Sequence, residues 1–359
     1  MDHSYEPILS DEERARRRAQ RTAARKRKQQ ARRWRLLLQT APFIILAILL
    51  AVFLLRNAHR PEEEPQPEAP AAVPAVMPEV LPEEPEEPAV YTISATADTV
   101  QLDDTLPSAY AVVVDRASGN ILAEKSSETV INPASMTKIL TLLVAVENLK
   151  SLDDTVTITI DITDYCYVHD CSVVGYEVGE TATVRELLYG TILSSGADAA
   201  LGLATYVAGS QEAFVELMNE KLEKLGLSDT AHFTNCVGLY DPDHYCTVRD
   251  MAIILSAAMD NELCREVLSA HTYQTAPTEQ HPEGQTLSNW FLRKIEDHDT
   301  EQAVRAVGAK TGFVLQSGSC AASWGEDSTG REFICVTGNA YSAWRAIYDH
   351  VELYKTYCG

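Results

Sequence analysis

An α+β fold, with an antiparallel sheet flanked by helices and a mainly helical lobe inserted into it, is predicted by three features of the 359-residue sequence. An apolar, β-branched strand pair lies within residues 108–125, a helix apolar on every side follows it, and strand-like segments return only after a long helical stretch. Strands, then helices, then strands again favour a sheet with helices packed on it over the strict alternation of a parallel α/β sheet.

The N-terminal region stands apart from this domain. Residues 1–35 hold 12 Arg or Lys against 5 Asp or Glu while the whole chain carries −22, so the remainder is strongly acidic. Carboxylates repel a phosphate backbone, which argues against nucleic-acid binding. The basic head reads instead as a cytoplasmic tail, because Leu36 to Leu55 is an apolar run broken only by Gln39, Thr40 and Pro42. About 20 residues at 1.5 Å each cross a hydrocarbon core of roughly 30 Å. That predicts a single-pass transmembrane signal anchor over residues 36–56. Basic residues before the span and acidic ones after it keep the N-terminus inside and the rest of the chain outside. A cleavable signal peptide is the rival reading, but the run is longer than a signal core and no small-x-small site follows Leu55. Residues 57–90 form an extended Pro/Glu-rich linker: nine of the 16 prolines fall between Pro61 and Pro88, a composition that cannot bury a core.

Residues 91–359 make the folded domain, with the helical lobe at about 150–265. Ser108 to Arg116 (SAYAVVVDR) is a strand, Ala117 to Asn120 turns at Gly119, and Ile121 to Lys125 runs back as a hairpin. In INPASMTKILTLLVAVENLK, Pro133 suits a helix start and the apolar positions cover the whole circumference, the mark of a buried helix. Thr155 to Asp161 (TVTITID) alternates like a short strand. Thr183 to Glu186 is a capping box opening a helix to Leu193; Ser194, Ser195 and Gly196 break it, and helix resumes to Gly209. Ser210 caps a third helix with Phe214, Leu217, Met218, Leu222 and Leu225 on one face and Gly226 as its stop, and a fourth begins after Thr247. Ala303 to Phe313, Ser319 to Gly325 and Arg331 to Gly338 return to strand, and a helix over about Tyr341 to Tyr357 closes the chain.

All eight cysteines lie beyond the predicted anchor, where disulfides persist. Cys166 with Cys171 and Cys236 with Cys246 are close enough in sequence to close small loops, and the pairing stays open. No C-x-x-C or H-E-x-x-H occurs, so neither a metal nor any other cofactor is implied.

The chemistry centres on Ser135 and Lys138, which at i and i+3 share one helix face. An ammonium in a core costs several kcal/mol, so burial favours the neutral amine that can take a proton from a serine hydroxyl. On its own S-x-x-K is a weak pattern, equally served by a capping serine and a snorkelling lysine. Lys310-Thr311-Gly312 on a late strand and Ser195-Gly196 between two helices give it company. With PSAYAVVVDRASGNILAEKSSETVINPASMTKILTLLVAVENL, ELLYGTILSSGADAA, HFTNCVGLYDPDHYCTVRDMA and VGAKTGF, the chain resembles the low-molecular-mass D-alanyl-D-alanine carboxypeptidases over roughly residues 95–357. These are penicillin-binding proteins of the serine DD-peptidase and β-lactamase superfamily.

The resemblance implies that Ser135 is acylated, that Lys138 is its base and that Ser195 relays a proton toward the leaving D-alanine. It further implies that Lys310 and Thr311 hold the substrate carboxylate, that Gly312 lets the strand approach the substrate, and that the backbone N–H groups of Ser135 and Phe313 form an oxyanion hole. Its substrates would be peptidoglycan stem peptides ending in D-Ala-D-Ala, its inhibitors β-lactams, and its place the outer face of a bacterial cell membrane. Two departures stand out. The middle motif is usually Ser-x-Asn, and Ala197 fills its third position with Asp198 beside it. FVLQSGSC follows Gly312 where the family usually has Thr and an acidic residue. Asn235, Gly238, Leu239, His244 and Asp250 also match family positions, and loop and helix-start roles explain them.

Serine DD-carboxypeptidase activity is the expected function. A weakly active or inactive penicillin-binding or peptidoglycan-sensing protein is the alternative, supported by Ala197. A β-lactamase is the weaker enzyme alternative, because the usual E-x-x-L-N is missing.

Overall fold

Three strands, Ser94–Gln101 (β1), Tyr110–Asp115 (β2) and Asn120–Lys125 (β3), open the domain in the computed structural model, which describes residues 91–298 and 304–358. The predicted tail, anchor and linker lie outside the described residues, among which no helix is long and apolar enough to cross a membrane. A short 3₁₀ turn, Ala134–Thr137, leads into helix Lys138–Asn148 (α1). The lobe then runs Thr155–Thr157 (β4), Ile160–Val168 (α2), Thr181–Thr183 (β5), Val184–Leu193 (α3), Ala197–Ala208 (α4), Gln211–Lys224 (α5) and Val248–Met259 (α6). Glu262–Ser269 (α7), Thr272–Gln274 (β6), Thr286–Ser288 (β7) and Trp290–Ile295 (α8) lead back to the sheet. Val304–Val314 (β8), Gly318–Asp327 (β9), Glu332–Ala340 (β10) and Ala343–Tyr357 (α9) complete it.

The main sheet has the order β1-β3-β2-β10-β9-β8, so the first and last parts of the chain meet at β2 and β10. Val112, Val114, Trp324, Ile334 and Val336 face a core shared with α1 and the lobe. Their neighbours Ala111, Val113, Ala321, Phe333 and Cys335 face a second core with Phe291 of α8 and Ile347 and Tyr354 of α9. With both faces covered, the strands read as continuous apolar runs. As predicted, α1 is buried from Lys138 through Ala145. Thr183 and Glu186 form both bonds of the capping box, and the Ser210 side chain accepts from Ala213 N at α5.

The sheet departs from expectation at its edge, where β1 pairs parallel to β3 and makes it mixed. That strand (SATADTVQ) is almost wholly exposed, so it carries little apolar signal. The TVTITID strand also ends early, after Thr157, because the Thr159 side chain accepts from Ile162 N and starts α2. The α7–α8 region had no sequence expectation.

Candidate active site

The nucleophile turn is built by local polar contacts. Asn132 Oδ1 accepts from Ala134 N at 3.0 Å and its amide donates to His244 O at 2.9 Å, while Ala134 takes a left-handed φ of +49°. This presents Ser135, half-buried, just ahead of Lys138. Two glycines make the fit possible. A Cβ on Gly238 (φ +79°) would stand 2.0 Å from Ala134 O, and one on Gly312 would stand 2.9 Å from both Pro133 O and Ser135 N. Gly312 thus lets β8 close against the nucleophile turn itself, a role beyond the substrate approach read from sequence.

Lys138 is only 2% exposed. Its Nζ donates to Ser135 Oγ at 3.2 Å and to Val237 O at 2.5 Å. Burial pulls its pKa down to about 8 from 10.5, with the thiols of Cys236, Cys171 and Cys166 and the Asp198 carboxyl opposing the shift. Val237 O is aimed by Asn235, whose Oδ1 accepts from the N–H groups of Val237, Gly238 and Leu239 at 3.3, 2.7 and 2.9 Å. No side-chain pattern in the sequence could have revealed that carbonyl.

A second Ser–Lys pair stands nearby. Lys310 Nζ donates to Ser195 Oγ at 2.9 Å and to Thr311 O at 2.7 Å, and Ser195 itself is left-handed at φ +53°. Burial, helped by repulsion from Lys138, lowers the Lys310 pKa well below the usual lysine range. Phe313, at 61% exposure, lies with Ser135, Lys138, Ala197 and Cys171 along a cleft of about 660 Å³. The expected site residues are therefore gathered from three segments of the chain.

The remaining family positions have structural work. Asp198 accepts from the amides of Val174, Gly175 and Tyr176 at 2.8, 2.9 and 3.2 Å, so it is committed to the cleft wall and does not replace the missing Asn. Burial raises its pKa against those bonds. His244 accepts from Thr234 N through Nδ1 at 3.1 Å, which leaves Nε2–H to meet Thr137 Oγ1 at 2.8 Å. Burial depresses its pKa to about 3, so it is neutral. Asp250 completes the capping box with Thr247. All eight cysteines are free thiols, and no group of His, Cys, Asp or Glu among the described residues could hold a metal ion.

Residues 96–341 match the model of the Peptidase S11 family, described as D-alanyl-D-alanine carboxypeptidase. The chain belongs to this family. Among curated family members, it is 33% identical over 240 residues to the D-alanyl-D-alanine carboxypeptidase of Streptomyces sp. (strain K15), covering 65% of this chain and 81% of the relative. The carboxypeptidase DacF of Bacillus subtilis (strain 168) is 36% identical over 152 residues, covering 42% of this chain and 39% of DacF. With DacC of Escherichia coli (strain K12), 39% identical, the match covers 45% of this chain and 42% of DacC, so the chain spans about two-fifths of those two relatives. The crystal structure of the Streptomyces K15 DD-transpeptidase superposes with a TM-score of 0.62 at 29% identity, over 69% of this chain and 95% of that one. The D-alanyl-D-alanine carboxypeptidase from Mycobacterium tuberculosis H37Rv gives 0.61 at 27% identity, over 72% and 94%. The α+β sheet with its helical region is the fold of these family structures.

Proposed function

We propose that this family member is a serine DD-carboxypeptidase that removes the terminal D-alanine from peptidoglycan stem peptides through an acyl-enzyme on Ser135. The observation that carries the reading is the buried amine of Lys138, its pKa drawn to about 8, 3.2 Å from Ser135 Oγ. Neutral Lys138 takes the hydroxyl proton as Ser135 Oγ attacks the carbonyl between the two D-alanines. The N–H groups of Ser135 and Phe313 receive the oxyanion as charge develops on it. Ser195, hydrogen-bonded to Lys310, passes a proton to the departing D-alanine amine, and Lys310 with Thr311 holds the terminal carboxylate. Water then releases the shortened peptide. Penicillins acylate the same hydroxyl. Residues 36–56 tether the domain to the outer face of the cell membrane by way of the linker.

A second reading, a penicillin-binding protein that acylates but turns over slowly, is favoured by one observation. Ala197 offers the cleft no amide, and Asp198 is spent on backbone. The test is a fluorescent penicillin together with a D-Ala-D-Ala peptide on the detergent-solubilised full chain. Labelling of Ser135 with release of D-alanine supports the carboxypeptidase, and labelling without release supports the second reading. Neither signal, with Ser135→Ala indistinguishable from wild type, refutes both.

A further inference from the structure

One thiol lines the cleft that holds Ser135 and Lys138, a second is buried beside it, and the chemistry above uses neither. Cys166 is buried on the last turn of α2, and Cys171, half-buried, lines the cleft. The backbone turns them back on each other: Asp170 takes a left-handed φ of +52°, and Cys171 N donates to Cys166 O at 2.9 Å. The side chains meet there, each thiol shifting the other's proton affinity. The nearby Lys138 charge favours a thiolate on either sulfur, and Cys171, at the cleft, is the one an oxidant reaches. An accessible thiolate backed by a buried partner thiol is the arrangement that thiol–disulfide exchange requires.

The segment beyond Cys171 is fastened to the Ser195 motif. Ser172 O accepts from Ala197 N at 2.8 Å, and the next amides run to Asp198. Movement at Cys171 therefore reaches the turn that carries Ser195.

We propose that Cys166 and Cys171 are a redox modification site, a dithiol that low-molecular-mass disulfides convert to an intramolecular disulfide, slowing acylation of Ser135. The Cys171 thiolate attacks one sulfur of the oxidant, whose S–S bond breaks to release one thiolate. The Cys166 sulfur then attacks Cys171 in the mixed disulfide, its proton passing to the second departing thiolate. Two electrons go to the oxidant, which ends as two thiols. The new bond fixes the sulfurs at about 2.05 Å, drawing Cys171 toward α2 and the Ser195 turn with it. The effect on acylation rests on the function proposed above; the disulfide itself does not.

The experiment treats the reduced, detergent-solubilised full chain with glutathione disulfide, then maps thiols by alkylation and mass spectrometry beside fluorescent-penicillin labelling. A Cys166–Cys171 cross-link is expected, with labelling slowed about tenfold, as small misplacements at active sites produce, and restored by reductant. Cys166→Ser should stop at a glutathione adduct on Cys171. Thiols at 166 and 171 that stay reduced, or a cross-link from Cys171 to Cys236 instead, overturn the site. A cross-link that leaves the labelling rate unchanged overturns its effect on acylation. A cross-link in a protein that never takes up penicillin supports the site and refutes the proposed function.

Discussion

Lys138 Nζ stands 3.2 Å from Ser135 Oγ while the same amine donates to Val237 O at 2.5 Å. One carbonyl thus holds the base in place, and the apolar surroundings bring its pKa to about 8. Only the neutral amine accepts a proton, so acylation by a penicillin should rise through about pH 8 and level off above it. Lys138→Arg, charged at every accessible pH, should lower the acylation rate constant by about 10²–10⁴ and flatten the rise. Stopped-flow acylation against pH checks both.

The same group makes a prediction for stability. Its folded pKa of about 8 lies below the unfolded value of 10.5, so between them the unfolded chain binds the extra proton. Folding stability from Lys138 therefore rises with pH across that window and is constant outside it. Buried thiols such as Cys264 have raised pKa values and act in the opposite direction. The difference in urea midpoint between wild type and Lys138→Met, followed over that pH range, isolates the lysine; a difference that does not move refutes its burial.

Gly238→Ala should be costly twice over, in backbone strain at φ +79° and in a Cβ 2.0 Å from Ala134 O. A loss of about 2–4 kcal/mol is expected, with slower acylation as the turn shifts. Gly209→Ala, at φ +83° with nothing within 4 Å, carries the strain alone. It should cost about 1 kcal/mol and leave acylation unchanged. Chemical denaturation and penicillin labelling on both variants make the comparison.

Asp198→Ala removes the acceptor shared by Val174, Gly175 and Tyr176 N–H groups. Unpaired amides at a buried wall cost about 1–3 kcal/mol each, less where water can reach them. Hydrogen exchange of residues 172–176 should accelerate in this variant, and slow exchange there would show that other groups hold the segment.

Ala197→Asn restores an amide at the cleft. Release of D-alanine should increase relative to acylation, read as the ratio of peptide turnover to penicillin labelling. An unchanged ratio would remove position 197 from the account of turnover.

Lys138 was legible in the sequence because a lysine within an apolar helix conflicts with the cost of burying charge, while Ser135 and Lys310 were legible only as parts of the S-x-x-K and Lys-Thr-Gly patterns. Capping chemistry at Thr183, Ser210 and Thr247 was equally legible, since an N-cap needs only its own helix. The parallel edge strand β1 was not, because exposed residues leave no apolar period to read. Nor was the end of the TVTITID strand, where one side-chain cap at Thr159 outweighed the alternation.

The sequence by itself determined the strand–helix–strand order, the buried α1 and the Ser135–Lys138 pair, all of which rest on local periodicity and residue chemistry, whereas the meeting of Lys310 with Ser195 was left to the tertiary structure. Only the tertiary structure decided that Val237 O would hold Lys138, that Gly238 and Gly312 would crowd the Ser135 turn, and that Asp198 would be used up on the cleft wall. Those contacts join residues about 100 or more positions apart, or backbone groups common to every residue, and neither leaves a mark on local sequence.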